Sequence, residues 1–199
     1  MKKIILAIIA CVIFNGVFSV SVSSASIFKM NKEADVSATV LDYYDALKKK
    51  NLRYLVNHIV KFQDMLVRVH RENPKKNWGD LDEELFLYME DRAKKDPKAL
   101  WADWPRMLDG TRVSIDEVRR ISREEALEMG IKNRDEVYQV FVHFNFTKRS
   151  SSRFDQKDAV LLREFVLQIF VYYDYGKMLV DTERISDVPI GHRSWSNDE

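Results

Sequence analysis

The chain holds one cysteine in 199 residues, Cys11, and that cysteine falls within an N-terminal segment that reads as a removable leader. Without it the chain has no thiol, so disulfides, cysteine nucleophiles and thiolate metal sites are excluded. An excess of charge of one sign is also missing. The chain carries 32 Lys and Arg against 31 Asp and Glu, and loss of Lys2 and Lys3 with the leader leaves 30 against 31, a formal charge of −1. That balance points away from nucleic acid and from an anionic membrane. No internal repeat is present, no histidine and acid share one element at metal-ligand spacing, and no serine sits in a nucleophile elbow. No cofactor and no metal is implied.

What is present suits one globular core. A hydrophobic fraction of 46% and an aromatic fraction of 12% supply enough apolar surface to offset chain entropy without staples. Met1, Lys2 and Lys3 precede an apolar run from Ile4 to Phe18 and the small-residue stretch "SVSVSSAS". This is the layout of a secretory signal peptide over residues 1–25, cleaved after Ala25 to leave Ser26 first. Secretion, or delivery to the periplasm, is the expectation. Two alternatives stay open: lipidation at Cys11, which too short an apolar run precedes, and an uncleaved membrane anchor over Ile4 to Val22.

After a linker at 26–33, the pattern turns helical. Val36, Val40, Tyr43, Tyr44 and Leu47 form one stripe of a 3.6-residue repeat, with Asp35 placed to cap its start. A second stripe runs through Leu52, Leu55, Val56, Ile59, Phe62, Leu66 and Val69. Asp80 and Glu83 open a third helix whose run Leu85 to Met89 is apolar around much of its circumference, predicting cover on two sides. Asp96 and Pro97 begin a short helix that Pro105 and Gly110 bring to an end.

Beyond Gly110 the period becomes two. Val113 and Ile115 start a strand, and "SREEALEMG" makes a small capped helix. Tyr138, Val140, Val142, Phe144 and Phe146 then share one strand face, opposite Gln139, Phe141, His143 and Asn145. The next strand turns Phe165, Leu167, Ile169, Val171 and Tyr173 inward. "DYGK" returns the chain into "MLVDTERI", and residues 188–199 read as a flexible tail.

Helices followed by an antiparallel meander make an α+β fold, helices packed in the concave face of a curved sheet. In "ATVLDYYDALKKKN" and "FVLQIFVYYDYGKMLVDTERI" the chain resembles the NTF2-like (cystatin-like cone) superfamily, in particular its small secreted bacterial members. It departs from that pattern in Met178, where an aromatic is common, and in a helical insertion at about residues 71–110 of a domain spanning 34–187. The resemblance speaks to fold, since this superfamily hosts enzymes, ligand binders and assembly proteins alike.

Enzymes of that superfamily place an acid or histidine inside the cone, and the inward faces here hold neither. Asp42, Asp45 and Asp64 fall on the outer sides of their helices, His143 lies on the outer sheet face, and His58 sits at the margin of its stripe. No residue reads as catalytic. Tyr43, Trp101, Trp104, Tyr138 and Tyr173 are the candidates for lining an apolar pocket, with core packing as their alternative role. Thr182 and Arg184 share parity with Met178 and Val180. Phe141, His143, Phe170 and Tyr172 form an outer face that the resemblance implies is a dimer surface, unless the "SREEALEMG" helix or the inserted helices cover it. The reading is therefore a non-enzymatic domain binding a small apolar ligand or an envelope protein and forming a homodimer. The alternatives are an isomerase or hydrolase using Asp64 or His143, and a membrane-anchored scaffold.

Overall fold

The computed structural model describes residues 32–102, 104–147 and 162–194, so the expected leader lies outside the described residues. The chain divides into a unit ending at Asp35 and one beginning at Val36, and the packing below is that of the second. Helix α1 spans residues 32–49, with Val36, Val40, Tyr43, Tyr44, Ala46 and Leu47 buried. Asp35 lies inside it rather than at its cap, because Lys32, Glu33 and Ala34 are good helix formers that carry the helix upstream. Lys50 ends it with a φ of 55°, and Asn51 N–H reaches back to the Ala46 carbonyl at 2.8 Å, a Schellman closure.

The second stripe, which reads as one helix, is two: α2 (Leu52–His58) and α3 (Val60–Glu72). Between them Ile59 is extended (φ −95°, ψ 128°) and forms a parallel bridge with Val180. A free strand edge attracts backbone partners, and here it captures one residue of the helical stretch. The buried Gln63 side chain donates to the Val56 carbonyl at 2.9 Å, satisfying a group at the break.

Helix α4 (Trp78–Lys95) begins two residues before Asp80, because Asn77 caps it by accepting the Asp80 N–H at 2.8 Å. Among the described residues it is covered on one side only: Leu81, Leu85 and Met89 are buried, whereas Leu87 and Tyr88 are 53% and 54% exposed. The two-sided cover expected from its apolar run is thus not found. Helix α5 (Pro97–Trp101) has the expected Asp96 cap on Ala99 N–H at 3.0 Å and ends at Ala102, where φ is 45°. Helix α6 (Trp104–Met107) follows.

Strands β1 (Arg112–Ile121), β2 (Glu136–Asn145), β3 (Leu162–Asp174) and β4 (Lys177–Ser194) form one antiparallel sheet in the order β1-β2-β3-β4. The fold is α+β, as read from the sequence. Alternation along β2 and β3 holds residue for residue, with Phe144 opposite Phe165 and Tyr138 opposite Val171. The inward side chains join α1 to α5 in one core that includes Tyr43, Tyr44, Leu55, Phe144 and Ile169. Each large apolar side chain buried there contributes about 1.5–3 kcal/mol. Tyr175 and Gly176, at φ 53° and 75°, make the two-residue turn between β3 and β4. Strand β4 continues past Ile185 to Ser194, pairing Val188 with Val166 and Arg193 with Glu164, so a strand occupies most of the stretch expected to be a loose tail.

The outer sheet face is covered at its β4 end. Helix α7 (Arg123–Glu128), capped by Ser122, closes through Gly130 (φ 73°) with Ile131 N–H bonded to the Ala126 carbonyl at 2.8 Å. Ala126 and Ile131 thereby pack with Val137, Phe170, Tyr172 and Leu179 in a second apolar cluster.

Candidate functional site

The five aromatics expected to line a pocket are mostly core. Tyr43, Trp101 and Tyr138 are buried, and Trp104 and Tyr173 are partly so. The Tyr138 hydroxyl donates to Glu136 at 2.6 Å. Trp101 also borders a shallow cleft with Leu52 and Phe86, whose ring lies 3.6 Å beneath the Arg53 guanidinium. Elsewhere in the core, Tyr44 packs edge-on against Phe144 at 5.0 Å and at a tilt against Trp104 at 5.6 Å. Phe165 stacks on Phe144 beyond them, at 4.9 Å. The Tyr44 hydroxyl is fully buried and finds no hydrogen-bond partner among the described residues. Buried polar groups are nearly always paired, so an unpaired one calls for an explanation.

The outer-face candidates separate. Phe170 and Tyr172 are 6% and 1% exposed because α7 and the turn after it lie over them, so they leave no open apolar patch. Phe141 and His143 are half-buried and remain outside that cover. His143 lies between two acids, Nδ1 3.4 Å from Asp116 and Nε2 3.2 Å from Glu164. His58 stacks on Tyr54 at 4.0 Å, and burial holds its pKa below the ordinary histidine value. Asp42 and Asp45 face solvent as expected.

Sequence reasoning missed a polar groove of about 480 Å³ between α3, the turn after α7, and β4. One wall is fixed by Arg134, whose guanidinium grips Asp64 on α3 and also donates to Asp174 at 2.9 Å. Tyr175 donates to the same Asp64 at 3.1 Å. The Arg134 hydrogen bonds hold the Asp64 carboxyl below the usual carboxylate range against the opposing effect of burial. The other wall is fixed by Arg184, which donates to the carbonyls of Met129 at 2.8 Å and Gly130 at 3.2 Å. Its parity with Met178 and Val180 is lost because β4 bulges between Asp181, opposite Phe170, and Ser186, opposite Gln168. At the floor Tyr172 donates to Asp181 at 2.5 Å, and burial and that bond together raise its hydroxyl pKa.

Each acid of the lining is engaged: Asp64 by the Arg134 guanidinium, Asp181 by the Tyr172 hydroxyl and Glu183 by the Lys61 ammonium. Among the described residues no group of three or more His, Cys, Asp or Glu is placed to hold a metal ion. No described helix is long and apolar enough to cross a membrane. The groove's residues come from four separate elements with no local spacing in common; the sequence singles out only Asp64, Tyr172 and Arg184, each by itself. No family model matches the chain, and no curated protein or solved structure matches it either.

Proposed function

We propose that the chain is a non-enzymatic domain of NTF2-like cone layout, exported through its N-terminal leader, that binds a small apolar ligand bearing one hydrogen-bonding group. The ligand sits at the Tyr44, Trp104 and Phe144 end of the core. The observation that carries the reading is the Tyr44 hydroxyl, buried with no partner among the described residues beside a half-buried tryptophan on the four-residue helix α6. A ligand polar atom at that hydroxyl removes the cost of an unmade bond, and the surrounding rings supply apolar contact. Its non-enzymatic character is supported by the engaged state of the buried acids Asp174 and Asp181. Self-association through the sheet is confined, on this reading, to the ground around Phe141 and His143.

Native mass spectrometry of the purified protein tests the proposal. A small molecule retained by the wild-type chain should be lost from Tyr44→Phe and recovered chemically unchanged after denaturation. Equal retention by both proteins rules out Tyr44 as the contact, and a chemically altered molecule rules out simple binding. The same spectrum reads the first residue, and a chain beginning at Met1 counts against export by cleavage.

A further inference from the structure

The polar groove is built from opposite charges, and most of them cancel. Lys61 meets Glu183 at 2.8 Å, Arg134 meets Asp64 at 2.6 Å, and Arg184 approaches Asp181 at 3.7 Å while donating to two carbonyls. Those contacts account for every acid in the lining. Two exposed cations remain, Arg68 on α3 and Lys132 just beyond α7, and neither is ion-paired to any described residue.

We infer that this groove is a binding site for a small organic dianion, with Arg68 and Lys132 supplying the two positive charges from opposite walls. Both walls are already fixed, one by Arg134 on Asp64 and the other by Arg184 on the α7 turn, so binding has to order the Arg68 and Lys132 side chains but not the walls that carry them. Met65, half-buried in the lining, offers apolar ground for a short carbon skeleton. Eight of the thirteen lining residues are charged, which selects a compact polar molecule such as a dicarboxylate over a fatty acid. The volume of about 480 Å³ accommodates such a ligand with its first waters. This site shares no residue with the Tyr44 cluster, so the two stand or fall separately.

The test is an amide chemical-shift titration of the purified protein with succinate, acetate and inorganic phosphate in parallel. Succinate should shift Arg68, Gly130 and Lys132 saturably, and acetate should bind at least about tenfold more weakly, having one charge-assisted contact to make in place of two. Arg68→Gln and Lys132→Gln should each weaken succinate about tenfold, with the remaining spectrum unchanged because both side chains are exposed. Shifts that fail to saturate, or that survive in the double variant, overturn the proposal. Phosphate binding more tightly than succinate overturns the organic dianion and leaves an inorganic anion site.

Discussion

Arg134 holds Asp64 through two parallel hydrogen bonds, Nη2 to Oδ2 at 2.6 Å and Nη1 to Oδ1 at 3.0 Å, across 70 residues of chain. A third bond from the same guanidinium reaches Asp174 at the β3 end, which ties α3 to the β3–β4 hairpin.

Replacing Arg134 with alanine leaves the Asp174 carboxylate, whose side chain is 8% exposed, with only the Asp135 N–H among the described residues. Stranding a buried charge is costly, so Arg134→Ala should lose about 3 kcal/mol. Asp64→Asn should lose about 1 kcal/mol, because Asp64 is 41% exposed and water screens its share. Urea unfolding with an unchanged slope measures both, and equal losses would show that Asp174 contributes nothing.

Tyr172 and Asp181 should behave as a coupled pair. Tyr172→Phe strips the 2.5 Å bond and leaves the buried Asp181 with the Glu183 N–H and a distant Arg184. The expected cost is about 2 kcal/mol, the penalty of a charge-assisted bond left unmade. A double-mutant cycle with Asp181→Asn should give a coupling above about 1 kcal/mol, and additive losses would show that the two do not interact.

Acid should act in two windows. His58 has a folded pKa below its ordinary 6.5, so the unfolded chain takes up its proton first. Stability is therefore full above that value and falls as the pH drops below it, until His58 also protonates in the folded state. Asp64 has a folded pKa below the ordinary 3.8; its contribution is present above that value and is lost as pH falls through the lowered one. His58→Gln should flatten the first window and leave the second, as read by urea midpoints across pH. A first window that persists in His58→Gln places that loss elsewhere.

The turn between β3 and β4 gives a backbone test. Gly176 has φ 75° and nothing within 4 Å of an added Cβ, so only the backbone conformation opposes a side chain. Gly176→Ala should cost about 1 kcal/mol and Gly176→Asn far less, since asparagine tolerates the left-handed region. Thermal unfolding decides, and equal losses would point to packing instead of φ.

How far the sequence reaches is set by how local each cause is. The faces of β2 and β3 are legible because alternation is a property of neighbouring residues, and the Asp96 and Ser122 caps are legible because their targets lie three positions on. The break at Ile59 is not, since Val180, 121 positions later, draws it out of the helix. The parity of Arg184 is lost for the same reason, through a bulge that the register with β3 imposes. The "SREEALEMG" pattern offers a helix that can cover Phe170 and Tyr172, but docking of α7 is a tertiary event that periodicity does not fix. The groove gathers Asp64, Arg134, Tyr172 and Asp181 from four elements, and no spacing rule links them.

Tyr44 separates a packing role from a binding one. Its hydroxyl is buried without a partner among the described residues, so removing that oxygen relieves a desolvation cost while the ring keeps its contacts with Phe144 and Trp104. Tyr44→Phe should therefore stabilise the ligand-free chain by about 1 kcal/mol. If the hydroxyl is retained for a ligand, the same variant should weaken ligand binding about tenfold, so stability and affinity move in opposite directions. Thermal unfolding after exhaustive dialysis reads the first effect and native mass spectrometry the second. A destabilised Tyr44→Phe protein would mean that the hydroxyl is satisfied within the fold, and the ligand reading would lose its support.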